Sequence, residues 1–369
     1  MEWYLALGLM LGLMFGLLAL GIPVAFTFLG VNLVGAWVFL GGDIGFAQLV
    51  RNSVSAVTSF SLTPIPLFVL MGEVLFHTGL AYRAIHAIEG LIARLPGRLS
   101  IVSVLGGTTF ATLSGSTIAN TAMMGSMMLP DMLKRGYHPT LAMGPIMAVG
   151  GIAMLIPPST LAVMLGSLGN ISIAQLLIGG IVPGLLMAAG FLVYVIVRCR
   201  MDPSLAPADD DAPIVRGWAR WKPLVRDVLP LLLLFVAVVG SMLAGWATPT
   251  ESAAIGAAAA LVATACYRTL SWAALVKAMI ETARISGVIL FILVASTTFA
   301  QLLSFSGAIG GLLAVIQAYE LSPLMLVLGM LLILLVIGCV IDQISMMMIT
   351  LPFFMPLANA AGIDPCGWA

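Results

Sequence analysis

The sequence predicts an all-α polytopic membrane protein, built as an inverted repeat with two re-entrant helical hairpins. Three observations carry this expectation. Of the residues, 61% are hydrophobic and 8% are charged, against about 25% charged in an ordinary soluble domain. Apolar runs recur along the whole chain; at roughly 20 residues per crossing, 369 residues hold about ten crossings, counting hairpins that enter and return. Two runs are too long for one span and are broken at their midpoints by polar or glycine residues. The formal net charge is zero, so bulk electrostatics names no partner, and nothing points to nucleic acid.

The first apolar run starts at Trp3 and continues almost to Leu40, with no basic region before it and no small-residue cleavage site. It reads as permanent helix and not as a signal peptide. Spans are expected at residues 3–20, 23–40, 64–80, 140–168, 173–197, 226–245, 248–267 and 286–304, with hairpins at 99–133 and 321–363. Gly8, Gly12 and Gly16 make a small face on the first helix, a helix-packing pattern that another membrane subunit is able to use. Cys199, Cys266, Cys339 and Cys366 show no metal-ligand or paired spacing. The 23 methionines read as apolar filler.

Basic residues set the orientation. Arg83, Arg94 and Arg98 precede the first hairpin, and Lys134 and Arg135 follow it. A second cluster holds Arg198, Arg200, Arg216, Arg220, Lys222 and Arg226; a third holds Arg268, Lys277 and Arg284, and residues 285–369 have no Lys or Arg. With the N-terminus outside, every cluster falls inside and only Arg51 is misplaced. The first hairpin then opens from the inside and the second from the outside. Gly21-Ile-Pro23 is echoed in style by Ala247-Thr-Pro249, and Leu129-Pro130 by Leu351-Pro352, at nearly equal offsets. The expected organisation is a first repeat at 1–200, a cytoplasmic linker at 201–225, and a second, incomplete repeat at 226–369. Asp209-Asp-Asp211 in the linker reads as a solvated run.

Between Arg98 and Asp131 there is no charged side chain, yet Ser114, Ser116, Thr117, Asn120 and Thr121 gather within eight positions. In hydrocarbon such groups survive only where they are buried or line a cavity. Neutral hydroxyl, amide and carbonyl oxygens suit a hard cation without a buried counter-charge. Gly115 lets the chain reverse, and the helix that starts beyond it directs free N–H groups at the tip, which suits a carboxylate. Pro157 and Pro158 break the following span, which is expected to free carbonyls near Gly150, Gly151 and Ile156, with Ser159 adding a hydroxyl. A kinked packing helix is the plainer reading of either break alone; the pair points to a site. Asp342, at the turn of the second hairpin, is a functional acid by default or an N-cap. Glu73 and Glu251 also sit in apolar surroundings, Glu251 at an ordinary helix start.

Ser114-Gly-Ser-Thr-Ile-Ala-Asn120, Leu155-Ile-Pro-Pro-Ser159, Ala247-Thr-Pro-Thr-Glu-Ser-Ala253 and Gly362-Ile-Asp-Pro365 together resemble the large membrane subunit of tripartite ATP-independent periplasmic (TRAP) transporters. The resemblance implies an elevator-type, sodium-driven importer of organic acids such as C4-dicarboxylates or sialic acids, with Na+ as coupling ion and no enzymatic activity. It implies a bacterial inner-membrane location, a small four-helix membrane subunit and a periplasmic substrate-binding protein. By position it makes Ser114, Gly115, Ser116, Asn120, Gly151 and Asp342 sodium-site candidates. Asn120, Thr121, Pro157, Pro158 and Ser159 become substrate-site candidates. Two departures stand out. Asp342-Gln343 stands where the family is expected to have Asp-Pro. The family also continues past the second hairpin with another Pro-Pro-broken span, so the 369-residue form is expected to be truncated and to transport poorly. No Walker-type loop appears, which argues against an ATP-powered pump. A stand-alone divalent-anion/sodium symporter is the nearest alternative. A passive channel and an intramembrane serine protease are remoter, the latter because His77, His86 and His138 fall at span ends and leave Ser114 or Ser116 no base.

Overall fold

A computed structural model describes residues 2–92, 97–206, 218–319, 321–339 and 341–364. Arg94, residues 207–217 of the 201–225 linker with Asp209–Asp211 and Arg216, and Pro365 and Cys366 lie outside the described residues. Among the described residues all regular structure is helical. The chain runs α1 (Trp3–Ala19), α2 (Val24–Leu40), α3 (Asp43–Val57), α4 (Pro64–His77), α5 (Leu80–Leu91) and α6 (Arg98–Ser114). It continues through α7 (Thr117–Lys134), α8 (Pro139–Ile152), α9 (Thr160–Gly169), α10 (Ile173–Gly179), α11 (Ile181–Met201) and α12 (Trp218–Pro223). The remainder is α13 (Leu229–Leu243), α14 (Pro249–Cys266), α15 (Trp272–Phe305), α16 (Ala308–Ala318), α17 (Pro323–Gly338) and α18 (Gln343–Ala360).

Both expected hairpins are present, as α6–α7 and α17–α18, and the expected 140–168 span is two helices, α8 and α9, parted at the prolines. With 17 and 18 residues, α6 and α7 are each about 26 Å long, just short of the ~30 Å hydrocarbon layer. Among the described residues six helical stretches are long and apolar enough to cross a membrane, including Phe60–His77, Ile173–Met201 and Pro249–Cys266.

Four helices fall where no span is expected: α3, α5, α12 and α16. In α5, Ala84, Ile85, Ala87 and Ile88 are buried while Arg83 and His86 face out. That one-sided pattern fits a surface helix, and its 12 residues are too few to cross. The same holds for amphipathic α3, while α16 is 11 residues long. The span expected at 286–304 is the distal part of α15, whose 34 residues extend about 51 Å. Its polar first turns hide their helicity from a hydropathy reading.

The chain forms two compact units. One comprises Met1–Leu62, Met164–Ser172 and Ile285–Ala369; the other comprises Thr63–Val163 and Ile173–Arg284. The first unit is organised around α2 and α15. Phe28 and Phe299 meet edge to face at 5.2 Å, and Gly35 admits Met10 and Leu302 against the α2 backbone. The Asn32 amide donates to the Ala295 carbonyl at 2.6 Å, and Ser296 Oγ donates to the Met348 carbonyl at 3.0 Å, tying α15 to α18. Gly8, Gly12 and Gly16 lie open: a Cβ at any of them meets nothing within 4 Å.

The second unit holds the first hairpin and the proline break. Arg98, at the base of α6, is buried and bonds the Glu89 carbonyl at 3.2 Å and carboxylate at 3.3 Å. Ser100 Oγ donates to the Leu141 carbonyl at 2.9 Å, joining α6 to α8. Helices α4 and α14 pack closely because Gly256 has no side chain: a Cβ there would lie 2.7 Å from Met71 Sδ and 2.8 Å from Val238 Cγ2. Glu251 closes a capping box with Thr248 at the start of α14, and Glu73 pairs with His77 one turn along α4 at 3.2 Å. Gly256→Val is therefore expected to destabilise the protein by about 1–3 kcal/mol through overpacking. Heating the purified variant and following loss of the monodisperse size-exclusion peak checks this; an unchanged midpoint contradicts it.

Candidate functional site at the hairpin tip

Helix α6 ends because Gly115 turns left-handed, at φ 57° and ψ 10°. A side chain there is strained by the backbone alone, and space forbids it as well. A Cβ on Gly115 would lie 2.5 Å from the Pro158 carbonyl oxygen. The hairpin tip thus meets the proline break backbone to backbone, and Thr160 Oγ1 fastens them by donating to the Gly115 carbonyl at 2.9 Å. The Pro157–Pro158 peptide is cis.

Two helices begin at this contact. Ser116 is the N-cap of α7, its Oγ accepting from the Ala119 N–H at 3.3 Å. Ser159 is fully buried and caps α9, its Oγ accepting from the Ala162 N–H at 3.2 Å. Each cap satisfies one donor, and the first-turn N–H groups beyond it have no intrahelical partner. The positive ends of two helix dipoles therefore adjoin one another through the Gly115–Pro158 contact.

Most hydroxyls of the hairpin arms bond within their own helix. Thr108, Thr109, Thr112 and Ser126 each donate to a carbonyl three or four residues back, at 2.6–3.0 Å. The tip differs. Ser114 Oγ, Thr117 Oγ1 and Asn120 Oδ1 are buried with no hydrogen-bond partner. Asn120 is fully buried and its amide donates to the Val149 carbonyl on α8 at 3.2 Å, which leaves its oxygen unpaired. Three neutral oxygens without partners on seven consecutive residues are an expensive arrangement, on the order of 1–3 kcal/mol for each. They also form the donor chemistry a hard cation takes.

Of the expected site residues, the structure sets Gly115 against Pro158, with Ser116 and Ser159 next to them in the chain; Asn120 bonds α8, and Ser114 is the last residue of α6. Thr121 Oγ1 faces Gly150, whose own Cβ would lie 2.1 Å from it. The break is tighter than expected: the Gly150 and Gly151 carbonyls accept from the Ala153 and Met154 N–H groups at 3.3 Å. After the prolines remove donors, the chain winds into a three-residue turn and does not leave those carbonyls bare. Gly151 has open space beside it. Asp342, in the other unit, is the exposed N-cap of α18; it accepts from the Ser345 N–H at 3.2 Å and from the Ser345 hydroxyl. Among the described residues no three His, Cys, Asp or Glu side chains cluster as metal ligands.

Two residues at the tip were not expected. Thr160 stands next to Ser159 and carries the only signal available, a second hydroxyl after the prolines. Gly72 sits alone in the apolar α4, and a Cβ there would lie 2.8 Å from Ser114 Cα and from the Ser114 carbonyl oxygen. A lone glycine in a helix marks such close approaches. Gly115→Ala is expected to separate tip from break and lower the thermal midpoint more than Gly125→Ala, a helical glycine whose Cβ meets nothing within 4 Å. Paired thermal unfolding curves check this; equal midpoints contradict it.

The family description "Tripartite ATP-independent periplasmic transporter, DctM component" matches residues 11–368. The 2,3-diketo-L-gulonate TRAP transporter large permease protein of Escherichia coli (strain K12) is 32% identical over 364 residues, covering 98% of this chain and 83% of that one. The sialic acid TRAP transporter large permease protein of Vibrio cholerae is 29% identical, covering 95% and 80%. The crystal structure of the Alcanivorax borkumensis YdaH transporter superimposes with a TM-score of 0.60 at 16% identity, covering 89% of this chain and 76% of that one; this likeness concerns the fold.

Proposed function

The chain belongs to the DctM family of TRAP transporter large permease subunits, which are multi-pass membrane transporters and not enzymes, and from that premise we propose that it imports an organic carboxylate coupled to sodium. The observation that carries this reading is the contact of Gly115 with Pro158. There, two helix N-termini meet beside three buried oxygens that have no partner.

In this reading Ser114, Thr117 and Asn120 supply oxygens to Na+, with Ser116 and the local carbonyls completing the shell. The first-turn N–H groups of α7 and α9, with Thr121 and Ser159 nearby, take the carboxylate. Cation and anion then stabilise each other at one tip, so neither needs a buried counter-charge from the protein. Names such as diketo-gulonate and sialic acid among the relatives support an acid as substrate. Asp342 at the second hairpin tip is the corresponding candidate on the other repeat.

The same proposal takes repeats at 1–200 and 226–369 of opposite orientation, an elevator motion, and a cytoplasmic-membrane location with the N-terminus outside. It takes a small four-helix membrane subunit and a periplasmic binding protein as partners. Proteoliposome uptake with both partners present, across a panel of radiolabelled dicarboxylates and sugar acids, tests it. Asn120→Leu is expected to raise the sodium concentration for half-maximal uptake about ten-fold or more, since a lost ligand in a buried site costs at least one charged hydrogen bond's worth of ~1.5–3 kcal/mol. Unchanged sodium dependence overturns the assignment.

A further inference from the structure

A second binding feature lies wholly within the first unit. Helices α2, α3 and α15 enclose a cavity of about 360 Å³, at the lower end of the 300–1,000 Å³ that small-molecule sites occupy. Leu29, Leu49, Leu290 and Val294 supply apolar wall, and no lining residue is ionisable. One wall carries the buried amide of Asn32. Its nitrogen donates to the Ala295 carbonyl at 2.6 Å, which fixes the amide's sense, because the flipped form would set two oxygens against each other. Asn32 Oδ1 is buried and has no partner.

The other polar wall groups do not answer it. Ser53 Oγ donates to the Leu49 carbonyl at 2.8 Å and Thr298 Oγ1 to the Val294 carbonyl at 3.1 Å. Both hydroxyl protons are spent within their own helices. Asn32 Oδ1 is therefore an unpartnered acceptor on a residue that lines an apolar, uncharged cavity, and an occupant that pairs it has to bring the donor. Charge is excluded by the lack of any counter-charge.

We propose that the α2–α3–α15 cavity binds a small neutral amphiphile, an apolar body with one hydrogen-bond donor such as an alkanol, whose hydroxyl donates to Asn32 Oδ1. The site is separate from the hairpin tip and does not rest on the transport reading. Gly287 lines the cavity and is exposed, and a Cβ there meets nothing within 4 Å, so a larger residue is expected to fill part of the cavity without a packing clash.

Photolabelling of the purified protein by a photoactivatable azioctanol, with adducts mapped by peptide mass spectrometry, tests the proposal. Saturable labelling is expected on the peptides that carry Leu49–Val57 and Leu290–Thr298. It should be competed by octanol but not by octyl methyl ether, which has the same body and no donor. Asn32→Leu is expected to weaken labelling roughly five-fold, the worth of one net hydrogen bond of about 1 kcal/mol. Gly287→Leu is expected to abolish it while the size-exclusion profile is retained. Labelling that does not saturate, that the ether competes equally, or that persists in a folded Gly287→Leu variant overturns the proposal.

Discussion

Hydrocarbon offers backbone groups no water, so a chain that turns round inside it must find partners for its own N–H and C=O groups. In this molecule that constraint is met at one contact, where the glycine of a hairpin tip lies against the carbonyl of Pro158. Everything else about the site depends on that approach. Gly115 is needed both for its left-handed φ and for the absent side chain. Thr160 closes the contact with a hydroxyl, and Gly72 lets α4 press on the other side of the tip. The consequence is that two helices begin side by side, each capped by a serine.

What makes the tip chemically distinct is a contrast within a single hairpin. Ser103, Thr108, Thr109, Thr112 and Ser126 bond back to their own helices, the ordinary fate of Ser and Thr in membrane helices. At Ser114, Thr117 and Asn120 the oxygens are buried and without partners. Glu251 and Asp342, also in apolar surroundings, cap helices, while Asn32, Thr282 and Ser286 each have a single buried side-chain oxygen without a partner. At the tip three such oxygens fall within seven residues, and the proposed cation is the partner they would take.

Much of this was legible beforehand because it rests on residue types that leave few options. The cluster Ser114–Thr121 in an apolar run, and two prolines in the next span, together pointed to a turn and a break over a kinked packing helix, and the structure has both. Helices α3, α5 and α16 were not legible, since their burial is one-sided or short and gives no long apolar run. The bare carbonyls expected at Gly150 and Gly151 were wrong for a local reason: residues 150–154 close a tighter turn that uses them. The contacts of Thr160 and Gly72 depend on which helices meet in space, and sequence spacing does not carry that information.

The central claim is that the unpartnered oxygens at the tip hold sodium. A ligand that binds only the folded state stabilises it, by about 2.7 kcal/mol at a concentration 100 times its Kd. The direct measurement is the thermal unfolding midpoint of the purified chain in sodium chloride against potassium chloride at equal ionic strength, for the native protein and for Thr117→Val. The account predicts a midpoint that rises with sodium and not with potassium, and a smaller rise in the variant. Equal midpoints in the two salts would contradict it.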